Sequence, residues 1–117
     1  MHIAFSSNRA IAILEPDLPG ETVELVRGHD EALVEQLNPL VLAHPVTLDM
    51  RAVERIDAAG IATLISLYCA ARQAGHCFTI CRVTPRVEEI LLLVGLERMI
   101  VCHEAAQPCP ELVLNAA

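Results

Sequence analysis

Apolar and polar positions follow two different periods along the chain, and the change of period divides it into strands and helices. Short apolar runs at residues 10–14 and 22–27 predict two strands, and the two prolines and the glycine between them favour a hairpin. After residue 28, apolar side chains recur every three or four residues and predict a helix that ends before Pro45. Asp30 is its expected N-cap.

The same change of period continues through the second half of the chain. Residues 45–50, 77–83 and 98–102 predict three more strands. One helix is expected from residue 60 to a C-cap at Gly75, and another from an N-cap at Thr84 to residue 95. The order β-β-α-β-α-β-α-β predicts an α/β fold with a mixed, mostly parallel sheet and helices packed against it.

The most informative stretch is Asp57-Ala58-Ala59-Gly60, which joins a strand of buried character to the middle helix. Asp57 suits a helix N-cap because its carboxylate can accept bonds from free backbone N–H groups and favours the positive end of the helix dipole. The two alanines supply no nucleophile, proton donor or metal ligand. Gly60 permits either the close approach of another backbone or an unusual turn conformation.

At about 100° per residue, the middle helix divides into an apolar face and a small, weakly polar outer face. The apolar face is expected to contain Ile61, Leu64, Ile65, Tyr68 and Ala71, and the outer face Ala62, Thr63, Ser66, Ala70 and Gln73. This outer face suits the close approach of another protein. It is equally consistent with partial cover by the chain's own neighbouring elements.

Composition limits the partners of the domain. The chain has 117 residues, 54% of them hydrophobic and only 3% aromatic, which predicts one domain with an aliphatic core and no aromatic platform for nucleic-acid bases. It contains no lysine and carries a formal charge of −7, which argues against nucleic acid and against anionic membrane surfaces. A protein partner is therefore expected. The confident pattern spans residues 10–102, and residues 103–117 have too little periodicity to predict a helix.

The chain has neither a signal-peptide pattern at its start nor an apolar run long enough to cross a bilayer, so we expect a cytoplasmic protein with no direct membrane insertion. An odd number of cysteines without a disulfide-scaffold spacing predicts reduced thiols that are buried or half-buried and structural. These are Cys69, Cys77, Cys81, Cys102 and Cys109.

Motifs for catalysis and cofactor binding are absent from the sequence. A GxxxxGK[ST] loop is impossible without lysine, and no GxGxxG follows a strand. The five histidines stand singly, and no serine has a GxSxG context. Asp49 and Asp57 could approach each other at the carboxyl edge of the sheet, but capping and turn roles are more common for such a pair. We expect no catalytic residue, no cofactor and no metal ligand.

Two segments resemble a known family. VTLDMRAVERIDAAGIATLISLYCAARQAG and FTICRVTPRVEEILLLVGLERMI are similar to the central and C-terminal part of a STAS domain, and most closely to the bacterial anti-sigma-factor antagonists. The match covers roughly residues 45–102, and its most specific parts are Asp49 at a strand end, the Asp57-x-x-Gly60 turn and VTPRVEEILLLVGLERMI. The resemblance implies a single STAS-like domain over residues 1–117, acting as a small cytosolic switch protein.

The resemblance also implies where a partner binds. In this family an anti-sigma factor or a related serine kinase docks on the turn before the second helix and on the exposed side of that helix. By position, this implies the partner-binding residues Asp49, Asp57, Ala58, Ala59, Gly60, Ala62, Thr63 and Ser66.

The family's regulated hydroxyl stands immediately before the glycine, where this chain has Ala59. Because alanine cannot accept a phosphate, the chain is expected to be either a permanently unphosphorylated binder or a relative regulated by other means. Thr63 and Ser66 are the nearest alternative hydroxyls.

Two other functions remain open at this point. The first, also by resemblance, is a STAS accessory subunit of a lipid-trafficking ABC transporter, which does not need the phosphorylated serine. The second is a thiol redox protein using Cys77, Cys81 or Cys102, which requires an exposed thiolate of low pKa. A homodimer is compatible both with an anti-sigma-factor antagonist and with a transporter accessory subunit.

Overall fold

The computed structural model describes residues 1–102, the last two by their backbone alone, and the tail at 103–117 lies outside the described residues. In chain order the elements are β1 (His2–Phe5), β2 (Ile11–Glu15), β3 (Val23–Leu25), α1 (Asp30–Ala43), β4 (Val46–Asp49), β5 (Val53–Ile56), α2 (Ala58–Gln73), β6 (Phe78–Cys81), α3 (Pro85–Leu93), a short 3₁₀ turn (Glu97–Met99) and β7 (Ile100–Cys102).

Five strands form the main sheet in the order β1-β2-β4-β6-β7. The edge pair β1 and β2 is antiparallel, whereas β2, β4, β6 and β7 run parallel to one another. Because these four strands follow one another in chain order with a helix between each pair, the crossovers proceed in one direction across the sheet. The predicted α/β fold with a mixed, mostly parallel sheet is confirmed.

The expected hairpin between residues 10–14 and 22–27 is wrong. β2 instead pairs with β1, and Ser6 closes the turn between them by donating its N–H to the carbonyl of Ile11 at 3.0 Å. β3 pairs in parallel with β5 in a separate two-stranded sheet. β1 and β5 are four residues each, and neither is part of the predicted element order. The proline-rich turn therefore connects two different sheets.

The core is aliphatic, as predicted. α1 and α2 pack against each other, and each contributes three fully buried side chains spaced three or four residues apart. These are Leu33, Leu37 and Val41 from α1 and Leu64, Leu67 and Ala71 from α2. Among the described residues, Phe78 is the one buried aromatic side chain.

The predicted inner face of α2 is rotated from the observed one. The buried residues are Gly60, Thr63, Leu64, Leu67 and Ala71, while the side chain of Ile65 is 40% exposed. The placement of Thr63 on the outer face is therefore wrong, because its side chain is only 5% exposed. The inward position of Gly60 determines this rotation, since residues three, four, seven and eleven positions later share its face.

Two predicted helix caps differ in detail. The N-cap of α1 is His29, and Asp30 is the first helical residue, whose carboxylate accepts the N–H of Gly28 at 2.9 Å. Thr84 is the N-cap of α3, but its hydroxyl donates to the carbonyl of Val53 at 3.0 Å instead of capping the helix. Thr84 thus ties the start of α3 to β5.

The cysteines do not share the single state that was expected. Cys69 and Cys77 are free and exposed, so the prediction of buried or half-buried thiols is wrong for both. Cys81 is buried and disulfide-bonded, so the prediction of a reduced thiol is wrong there. The described side chains do not include those of the remaining two cysteines.

Candidate functional site

The turn at the start of α2 is held by the carboxylate of Asp57. Oδ1 accepts the N–H of Gly60 at 2.9 Å, which is the predicted N-cap bond. Oδ2 accepts the N–H of Arg27, just after β3, at 3.1 Å. The backbone N–H of Asp57 in turn donates to the carbonyl of Leu25 at 3.3 Å. One carboxylate therefore joins two segments that are 30 residues apart in sequence.

Gly60 allows this turn to lie directly against β3. A Cβ atom at this position would be 2.2 Å from the carbonyl oxygen of Leu25 and 2.8 Å from a side-chain carbon of Ile56. Both distances are far shorter than a van der Waals contact, and the first is to backbone that cannot rotate away. Of the two roles predicted for this glycine, the structure shows close approach of another backbone.

The hydrogen bonds of the turn lower the pKa of Asp57 from its ordinary value of 3.8. The N–H of Gly60 makes the largest contribution and the N–H of Arg27 the next, and partial desolvation opposes them. Both donors stabilise the charged carboxylate, so the carboxylate stabilises the fold when it is ionised.

Asparagine has no ionisable carboxylate, so Asp57→Asn should remove the pH-dependent stabilisation that the charged form of Asp57 gives to the fold. The folded-state pKa is depressed, so the stabilisation is fully present above pH 3.8 and is lost as the pH falls through the folded-state pKa. Denaturant unfolding of wild type and Asp57→Asn should therefore show a stability difference at neutral pH that shrinks below pH 3.8. Other acids cancel in this comparison, and a difference that stays constant with pH would contradict the role of the charged form.

The predicted partner-binding residues divide by burial. Ala58, Ala62 and Ser66 are exposed, and Asp57 and Ala59 are half-buried. Gly60 and Thr63 are buried and lie beneath them. The exposed residues follow one another along the outer side of α2 at a helical spacing of three to four positions, so they form one continuous surface.

Sequence reasoning missed two members of this surface. Ile65 was assigned to the apolar inner face and Cys69 to the interior, yet both are exposed on the same side of α2 as Ala62. If Gly60 is placed on the buried face of α2, the helical periodicity puts both Ile65 and Cys69 on the exposed face. We use the name docking face for the candidate partner surface formed by Ala58, Ala59, Ala62, Ile65, Ser66 and Cys69. It is uncharged, and its first half consists of alanine side chains.

Asp49 has a different environment from the other predicted site residues. Its side chain is 4% exposed, and its Oδ1 accepts the N–H of Arg51 at 3.0 Å within the turn between β4 and β5. Its Oδ2 lies 3.8 Å from Nε of Arg82, a residue in the left-handed conformation with φ of 55°. A buried carboxylate in these contacts presents no surface to a partner.

Within residues 1–102, no three His, Cys, Asp or Glu side chains come together as a metal site would require. In the same part of the chain, no helix is both long enough and apolar enough to cross a membrane.

Comparison with known proteins identifies one matching family. A family model described as "Mlab, STAS domain" matches residues 22–101. No curated protein matches the sequence.

Similar solved structures extend over nearly the whole chain. The unphosphorylated anti-sigma factor antagonist SpoIIAA is 9% identical with a TM-score of 0.73, covering 98% of this chain and 96% of its own. A putative anti-sigma factor antagonist from Thermotoga maritima is 16% identical with a TM-score of 0.69, covering 96% and 90%. A sulfate transporter family protein from Wolinella succinogenes is 18% identical with a TM-score of 0.67, covering 97% and 93%.

At these identities the solved structures establish the fold, while the family model establishes the relationship, because it covers more than half of the sequence. The chain belongs to the STAS domain family.

Proposed function

We propose that this STAS domain is a non-catalytic regulatory module that docks on an anti-sigma factor or a related serine kinase through the docking face. The observation that carries the proposal is the surface itself: a neutral row of small side chains at the start of α2, anchored from beneath by Asp57 and Gly60. The likeness in fold to SpoIIAA, an anti-sigma factor antagonist, supports the same function.

The physical character of the docking face suits a protein partner. Alanine side chains lose no rotamer freedom on binding, and they let the partner's backbone approach closely. Ile65, 40% exposed, provides the apolar contact that such surfaces need at their centre. The two hydrogen bonds of Asp57 hold the first turn of α2 in place before a partner arrives. A preorganised surface reduces the entropic cost of association.

Because residue 59 is an alanine, we propose that partner binding by this surface is constitutive and is not switched off by phosphorylation of the turn. A phosphate at this position would add about −1.5 to −2 charges to the docking face, and alanine cannot accept one. Thr63 is 5% exposed, which removes it as an alternative phosphate acceptor in the folded chain. Ser66 is exposed and remains the one hydroxyl on the docking face. We infer that binding is regulated by the amount of the chain, or by its partner, and not by phosphate at the turn.

A second candidate function has its own support. The matching family model is of the "Mlab" type, and the missing hydroxyl fits a STAS accessory subunit of a lipid-trafficking ABC transporter, which binds its ATPase without a phosphorylation switch. This subunit would use the same docking face. The identity of the partner therefore separates the two functions.

A charge placed on the docking face tests the proposal. Ala59→Asp should weaken partner binding by about 1–3 kcal/mol, or roughly 5- to 150-fold in Kd, because a carboxylate would be desolvated in a neutral interface. Ala32→Asp is the matched control, since Ala32 is an exposed alanine of a different helix, α1.

The measurement has two stages. Affinity capture with wild type, followed by mass spectrometry, identifies the partner, and calorimetric titration of that purified partner gives Kd for wild type and both variants. An anti-sigma factor or serine kinase whose binding is weakened by Ala59→Asp alone supports the leading proposal. A transporter ATPase with the same pattern supports the second candidate. Equal affinity of all three chains would place the interface elsewhere.

A further inference from the structure

A cavity of about 320 Å³ lies at the C-terminal end of α2, and none of its lining residues belongs to the docking face. It is formed where the last turns of α2 meet the start of β6 and the 3₁₀ turn before β7. Since α2 has 16 residues, the cavity is roughly 20 Å from the Asp57 turn. Its polar lining consists of Tyr68, Arg72, His76, Cys77, Thr79 and Arg98.

The charge of this cavity is opposite to that of the chain. None of its described lining residues carries a carboxylate, although the chain as a whole has a formal charge of −7. Arg72 and Arg98 contribute two guanidinium groups, and neither forms an ion pair with any residue in the described part of the chain. Two unpaired cations beside one concave surface are a feature of oxyanion sites.

Tyr68 orients the guanidinium group of Arg72 beside the cavity. Its Nη1 donates to the hydroxyl of Tyr68 at 3.0 Å, and its guanidinium carbon lies 5.7 Å from the centre of the Tyr68 ring. The hydrogen bond to Tyr68 is the first cause of a raised pKa for Arg72, with smaller contributions from nearby Cys69 and Cys77. An ordered guanidinium binds an anion at a smaller entropic cost than a freely rotating one.

The end of α2 would otherwise repel an anion, because helix C-termini present unpaired carbonyl oxygens. Here the chain reverses direction at Gly75, whose φ is +81°, and the backbone N–H groups after the helix donate hydrogen bonds to those carbonyls. The carbonyl of Ala71 accepts the N–H of His76 at 2.8 Å, and that of Arg72 accepts the N–H of Gly75 at 3.0 Å. The negative end of the helix is therefore already satisfied by backbone donors.

We propose that this cavity binds a small phosphate compound, either inorganic phosphate or a phosphate ester, and that Arg72 and Arg98 bind its negatively charged oxygens. Arginine is suited to phosphate because its planar donors match the spacing of phosphate oxygens. A volume of about 320 Å³ lies at the lower end of the range for small-molecule sites, so it accommodates inorganic phosphate or a small phosphate ester. The site is separate from the docking face and does not depend on the proposed function.

Calorimetric titration with inorganic phosphate and with glycerol 3-phosphate tests the site. We expect saturable binding by wild type and at least a tenfold higher Kd for Arg72→Gln and Arg98→Gln. Arg51→Gln is the matched control, because Arg51 is exposed but does not line the cavity. Tighter binding of glycerol 3-phosphate identifies a phosphate ester as the ligand, and equal or weaker binding identifies inorganic phosphate.

Cys77 supplies a second measurement, since its free thiol is exposed in the cavity lining. Saturating phosphate should slow the alkylation of Cys77 by iodoacetamide, measured by peptide mass mapping, in wild type and in Arg51→Gln. At the same phosphate concentration, the protection of Cys77 should be smaller in Arg98→Gln. Absence of saturable binding to both probes, or binding that is equal in all four chains, would overturn the proposal.

Discussion

Gly60→Ala should destabilise the domain by about 3 kcal/mol, one of the largest effects of any single methyl group in this chain. The added Cβ would lie 2.2 Å from the carbonyl oxygen of Leu25, so β3 or the first turn of α2 must move. Either movement strains the bonds that Asp57 makes to both segments. Alanine normally gains helix propensity over glycine, so the steric cost must exceed that gain of about 1 kcal/mol.

Denaturant unfolding of Gly60→Ala and Gly75→Ala measures this effect against a matched control. Gly75 has a positive φ of +81°, but nothing lies within 4 Å of the position that an added methyl group would occupy, so its substitution carries only a conformational cost of about 1 kcal/mol. If Gly60→Ala is no more destabilised than Gly75→Ala, the contact with β3 does not require glycine.

Leu67→Ala should cost about 2–5 kcal/mol, whereas Ile65→Ala should change stability by less than about 0.5 kcal/mol. Leu67 is completely buried between α2 and the rest of the core, and its truncation leaves a cavity. Ile65 is two positions earlier and 40% exposed on the docking face.

The pair therefore measures the rotation of α2 directly. Thermal or denaturant unfolding of the two variants suffices, and each serves as the control for the other, because each removes a branched aliphatic side chain from the same helix. The inner face predicted from periodicity includes Ile65 and does not include Leu67, so it predicts a substantial loss of stability for Ile65→Ala. Comparable losses in the two variants would contradict the observed rotation.

The local features of the candidate site could be predicted from sequence. Asp57 has the chemistry of an N-cap, and an N-cap bond closes within three residues, so the residue types alone predicted the observed bond to Gly60. The sequence alternation of strands and helices likewise predicted the α/β fold, since each helix must return the chain to a neighbouring parallel position.

Features that depend on distant contacts could not be predicted in this way. β3 is three residues long and pairs with β5, which lies some 30 residues later in the chain. Proximity in sequence therefore favoured the wrong hairpin. The phase of α2 depends on the contact of Gly60 with Leu25. Because α2 is apolar on most of its circumference, its periodicity distinguished the two faces poorly.

The cationic cavity could not be predicted from the sequence either, because it also depends on contacts between distant residues. Arg72 and Cys77 are five positions apart and are separated by the reversal at Gly75, while Arg98 follows after another strand and helix. No local pattern places these residues together, and only the parallel order of β6 and β7 does so.

The bond from Asp57 to Arg27 sets the smallest segment that can carry the docking face. A chain trimmed to begin after Arg27 would keep every residue of α2, yet it would lack both the donor for Oδ2 and the carbonyl on which Gly60 rests. The region matched by the family model starts at residue 22, one position before β3 begins. The boundary of the matched region thus coincides with the first residues that fix the orientation of α2.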